Sequence, residues 1–201
     1  MVYTEDLPAV LEEHHEDHDP YADDTQHSDH PSIACVSDAV VNVENCVTNI
    51  NKWCAFKRLQ LNQAKSEIIW FGTTTSLHRL QGLDLGLNVG ADIITSVDVV
   101  RDLDVLLDSS PTLKKHISNI TSVCFYHLRL LKLVRRLLVS DITARLVYAF
   151  ALSRLDYCNS VLTGLPQSTI APLQGVQNAA ARLIVSLGSR DHITTALRQL
   201  H

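Results

Sequence analysis

Apolar side chains recur along this chain with two different periods, and the period changes near residue 110. From Ser37, a residue suited to a helix N-cap, Val40, Val43, Val47, Ile50 and Cys54 return every three or four positions. That spacing predicts an amphipathic helix, with Trp53 completing its apolar face. Glu67 to Phe71 (EIIWF) is a short apolar run stopped by Gly72 and predicts a buried strand. Between residues 83 and 107 brief apolar runs are broken by Gly86, Gly90 and Asp-containing turns, which predicts small hairpins. After Pro111, placed to suit a first helical turn, Leu113, Ile117, Ile120, Cys124, Leu128, Leu131 and Leu138 form a stripe at helical spacing. A second helix is expected from Ser140 toward Cys158, and a third from about Ser168 to Leu187, ended by Gly188. A short fourth is expected over Thr194 to Leu200.

Charge follows the same division. Residues 1 to 51 hold twelve Asp or Glu and no Lys or Arg, whereas the rest holds ten acids against seventeen bases, so the total of −5 joins a segment of −12 to one of +7. Lys114, Lys115, Arg129, Lys132, Arg135 and Arg136 lie mostly off the apolar stripe and are candidates for contact with a nucleic-acid backbone. The chain has five cysteines and no CxxC pair, so neither a disulfide framework nor a zinc ribbon is indicated. No apolar run approaches the ~20 residues that cross a bilayer, and the acidic start lacks the layout of a signal peptide. The expectation is a soluble, intracellular protein without a membrane partner.

The candidate chemistry sits near the start. Tyr21 to Gln26 read YADDTQ, and adjacent carboxylates on a turn between two strands suit a hard divalent cation such as Mg²⁺. The nearby cluster from His14 to Asp19 has ligand types suited to transition metals, but Pro20 prevents a long helix and no further ligand follows at a motif spacing. Asp156, Tyr157 and Cys158 have no motif-placed histidine to activate the thiol, so they are read as a packed helix face.

YADDTQ is followed in order by LQLNQAKSE (Leu59 to Glu67), VRDLDVLLD (Val100 to Asp108), SRLDYCN (Ser153 to Asn159), GLP (Gly164 to Pro166) and LQGVQNAAARL (Leu173 to Leu183), with DHIT at Asp191 to Thr194. Together with Tyr3, Thr4, Asp6 and Leu7, these stretches resemble the reverse transcriptase of non-LTR, LINE-type retrotransposons from polymerase motif C onward. The resemblance implies an α+β chain: a partial polymerase palm over residues 1–108, with motifs C, D and E, followed by an all-α, thumb-like region over 109–201. It implies RNA-templated DNA synthesis with Mg²⁺, deoxynucleotides, an RNA template and a DNA primer. Asp23 and Asp24 would be metal ligands, Tyr21 would pack beside the incoming sugar or primer terminus, and Lys65 would neutralise or protonate departing pyrophosphate.

Two positions depart from the family pattern: Asp104 stands where glycine is usual and Lys57 where asparagine is common. Only twenty residues precede Tyr21, and they contain no motif A carboxylate. The chain is therefore expected to be inactive on its own, as a truncated copy. The alternatives are a non-catalytic module that binds nucleic acid or protein, and a pseudogene product without selected function.

Overall fold

The computed structural model describes Leu7, residues 17–21, 24–83, 85–89, 92–188 and 191–200. The architecture is α+β, and the chain divides into two compact units, Met1–Val100 and Arg101–His201.

In the first unit, strands β1 (Asp17–Tyr21) and β2 (Asp24–Ser28) pair antiparallel, with Tyr21 opposite Asp24. Helix α1 (Val36–Phe56) follows a 3₁₀ turn over Ile33–Cys35. It begins one residue before Ser37, so Ser37 is not its cap; Cys35 stands there, without a side-chain cap hydrogen bond. The expected periodicity is otherwise realised, because the apolar stripe is wide enough to meet two neighbours. Cys46, Ile50 and Trp53 pack with Leu7, while Val40, Val43 and Val47 pack against Leu87, Val89 and Ile94. The latter three belong to an antiparallel hairpin of β3 (Leu87–Val89) and β4 (Asp92–Ile94). The Glu44 carboxylate ties α1 to β3, accepting from the Asn88 backbone N–H at 2.6 Å and from its side-chain amide at 2.7 Å.

The EIIWF segment corrects a local reading. Its single ladder contact is a parallel bridge from Ile68 to Ser96, and Ile68 and Trp70 reach the core as irregular chain. A run of apolar residues reports burial, and burial was here satisfied without a strand. Helix α2 (Thr74–Leu80) follows, capped by Thr73, whose hydroxyl accepts from the Ser76 N–H at 3.2 Å.

A third strand pair is formed by β5 (Val99–Asp102) and β6 (Val105–Asp108). Each strand pair is its own two-stranded sheet. The second unit is helical: α3 (Lys114–Val134), α4 (Ser140–Val147), a π-helical turn at Tyr148–Leu152, α5 (Ser153–Asp156), α6 (Gln167–Ile184) and α7 (Thr194–Leu200). Its core joins Cys124, Leu128 and Leu131 of α3 to Val147 and Leu155 and to Val176, Ala180 and Ile184 of α6. Pro111 precedes this bundle instead of entering its first turn. Helix α3 starts three residues later, where Leu113 takes a left-handed conformation at φ 53° and Asp108 accepts the N–H groups of Thr112 at 2.9 Å and Leu113 at 3.1 Å. Burial pushes the Asp108 carboxyl up, but those bonds and one from the Thr112 hydroxyl outweigh it and hold the group below its ordinary value. Among the described residues no helix is long and apolar enough to cross a membrane.

Candidate functional site

Of the YADD segment, Tyr21 ends β1 and Asp24 begins β2. Tyr21 pairs with Asp24, and Ala22 and Asp23 lie outside the described residues. Tyr21 is 63% exposed and Asp24 is exposed, which is the placement a solvent-facing acidic turn requires. Lys65 lies on a separate exposed 3₁₀ turn, Gln63–Lys65, and among the described residues no hydrogen bond joins it to the hairpin. Asp24 is thus the one carboxylate of the YADD pair that is described.

Magnesium takes hard oxygen ligands in near-octahedral geometry, usually one or two carboxylates plus water and phosphate oxygens. Asp24 is the right ligand type. Among the described residues no group of three or more His, Cys, Asp or Glu could hold a metal ion, and Asp23 lies outside those residues. The His14 to Glu16 part of the histidine-rich cluster lies outside the described residues.

The basic candidates fall along α3 and the 3₁₀ turn Arg135–Leu137 that follows it. Lys114, Lys115, Arg129, Lys132 and Arg136 are exposed. Arg135 stands apart from them: its guanidinium donates to the carbonyls of Leu183 and Ile184, each at 2.9 Å, and of Leu138 at 2.8 Å. Three buried or half-buried acceptors hold this cation in the fold, and its charge answers the negative end of α6.

An open cavity of about 610 Å³ in the second unit is lined by Arg101, Asp104, His116, Asn119, Arg154 and Tyr157, among others. His116 is buried, and its Nδ1 accepts from the Leu106 N–H at 3.2 Å, which leaves the proton of the neutral ring on Nε2. Burial lowers the His116 pKa, partly opposed by the Asp104 carboxylate. The Tyr157 hydroxyl donates to the Leu103 carbonyl at 2.7 Å and so latches the β5–β6 turn to the end of α5. Tyr157 is expected from sequence on a packed helix face, and no local signal singles out His116 or Arg154. Their neighbours are 10 to 54 residues away, and no local spacing encodes such pairs. Cys158 follows α5 in a left-handed conformation at φ 53°. The thiols of Cys54 and Cys124 are pushed up by burial, which disfavours the reactive thiolate.

No family model, no curated protein and no solved structure matches this chain.

Proposed function

We propose that this chain is the motif C-to-thumb part of a non-LTR retrotransposon reverse transcriptase, and that these 201 residues do not polymerise by themselves. The observation that carries the reading is the hairpin register. Tyr21 pairs with Asp24 in an antiparallel ladder and Asp24 is exposed, which supports a motif C reading of YADDTQ. The ordered series LQLNQAKSE, VRDLDVLLD, SRLDYCN, GLP and LQGVQNAAARL supports the same assignment. In it Asp23 and Asp24 are metal ligands, Tyr21 lies beside the incoming nucleotide or primer end, and Lys65 serves the departing pyrophosphate. Two-metal transfer needs carboxylates that clamp both ions. Asp23 and Asp24 alone are too few, and the chain holds no motif A partner.

The deciding experiment is sequencing of the transcript and genomic DNA upstream of the Met1 codon. Fingers and a motif A carboxylate, in frame or shifted by a lesion, are the expected finding. Unrelated coding sequence there, or Asp24-dependent nucleotide incorporation by the purified chain on a homopolymer RNA template, would overturn the reading.

A second reading rests on a separate observation. No acid occurs between Asp108 and Asp141, while Lys114, Lys115, Arg129, Lys132 and Arg136 are exposed. A non-catalytic role in holding nucleic acid is compatible with that face and does not require the metal site.

A further inference from the structure

The open cavity beside His116 is built entirely from the second unit, and it sets an apolar wall of Ile120, Val123 and Ala149 next to two donors without partners. The first donor is His116 itself. Its side chain is 3% exposed and Nδ1 is taken by the Leu106 N–H, but among the described residues no acceptor meets Nε2–H. A buried donor without an acceptor is costly, so this one must be satisfied from the cavity. The second donor is Arg154, which is exposed and makes no ion pair or hydrogen bond among the described residues. Arg101, the other cation on the lining, is already engaged, since its Nε donates to the Asp104 carboxylate at 2.9 Å. One positive charge, that of Arg154, is left uncompensated.

We propose that this cavity binds a small organic carboxylate with a short branched or ring-shaped apolar body, its two oxygens accepting from Arg154 and from His116 Nε2–H. A guanidinium presents paired N–H donors that match the coplanar oxygens of a carboxylate. One free cation balances one negative charge. A phosphate dianion would bring a second charge beside Asp104, with no second free cation to hold it. A phosphodiester carries a single charge, but its polar sugar flanks find no partner in the apolar wall. Ile120, Val123 and Ala149 instead cover a few carbon atoms, and a mostly apolar lining with few placed polar groups is the usual make-up of a small-molecule site.

The test follows the His116 Nε2 resonance of the full chain by long-range proton–nitrogen NMR, with His116→Gln identifying the signal. Isovalerate at millimolar concentration should shift it, and isovaleramide, the neutral isostere, should bind at least about tenfold more weakly. Inorganic phosphate should also bind more weakly than isovalerate. Arg154→Met should cost isovalerate about tenfold or more in affinity while the unfolding midpoint holds, because the side chain is exposed. Asp104→Asn removes the opposing carboxylate and keeps a residue that tolerates the left-handed turn, so it should tighten binding, a gain that no folding defect produces. No shift of His116 by isovalerate, or equal affinity for the amide, overturns the proposal. So does phosphate binding as tight as that of isovalerate, which makes the cavity an unselective anion site. A short RNA–DNA hybrid that shifts the His116 signal where isovalerate does not assigns the donors to phosphodiesters and equally overturns it. None of these outcomes bears on the upstream-sequence test of the reverse transcriptase reading.

Discussion

Arg135 donates to the Ile184 carbonyl at 2.9 Å across 49 residues of sequence, so a side chain on the turn after α3 closes the C-terminal end of α6. The adjacent Ser140 hydroxyl donates to the same carbonyl at 3.2 Å. Removing the guanidinium leaves the Leu183, Ile184 and Leu138 carbonyls without this donor. Charge-assisted bonds contribute about 1.5–3 kcal/mol each when buried, and less at a half-buried site such as this. Arg135→Gln should therefore lower stability by about 1–3 kcal/mol, whereas Arg136→Gln, exposed, should stay within about 0.5 kcal/mol. Urea midpoints of the two variants would measure the contrast. Equal midpoints would show that Arg135 is not a structural cation.

The β5–β6 turn stores backbone strain at a defined place. Leu103 and Asp104 connect the strands with φ of 40° and 69°, both in the left-handed region. Two-residue hairpin loops with positive φ at both positions favour Asn-Gly, because other side chains crowd the following carbonyl. Asp104 tolerates this better than most residues, and its carboxylate accepts from Arg101 Nε at 2.9 Å. Leu103 has no such compensation, and its side chain is exposed. Leu103→Asn should stabilise the chain by about 1 kcal/mol and Leu103→Val should destabilise it. Thermal unfolding would decide, and a destabilised Leu103→Asn would mean that the leucine side chain packs in a way its exposure does not show.

His116 makes stability depend on pH. Its folded pKa is lowered, first by burial and against the opposing pull of Asp104, so the unfolded chain binds the proton more readily. The contribution is complete above the ordinary histidine value of about 6.5 and is lost as pH falls toward the lower folded value. Protonation also removes the Nδ1 acceptor from the Leu106 N–H. Wild type should lose stability between about pH 7.5 and 5.5, and His116→Gln, which keeps an acceptor but no titrating ring, should lose less. Identical slopes in the two proteins would refute this assignment.

The long helices α1, α3 and α6 were legible in the sequence because each buries residues along a face, whereas α2, which buries none, was not. Leu128 and Leu131 on α3 are core residues where the spacing put them, and α7 spans Thr194–Leu200 as expected. Strands were less legible: Ile68 and Trp70 are half-buried as their run implies, yet they reach the core without a ladder. Long-range polar pairs were not legible at all. Arg135 has the same sequence context as Arg136, and only the position of the α6 terminus distinguishes a structural cation from a solvent-facing one. Similarly, the glycine-like turn at Asp104 could be expected from its odd residue type, but the Tyr157 latch onto Leu103 depends on chain folded back over 54 residues.

The start of α3 offers the cleanest test of nucleic-acid binding, because Lys114 and Lys115 are exposed and lie roughly 21 Å along the axis from Arg129. Each phosphate neutralised releases counterions and adds about 0.7–0.9 to the slope of log affinity against log salt. Changing both lysines to Gln should weaken binding of an RNA–DNA hybrid and reduce that slope by roughly 1.5. Arg135→Gln should leave the slope unchanged at temperatures where the variant is folded, since its charge is held by carbonyls. Fluorescence anisotropy over a salt series reads both quantities. No detectable binding at low salt, or a slope insensitive to the double lysine change, would mean that this end of the basic face is a solvated helix surface with no role in holding nucleic acid.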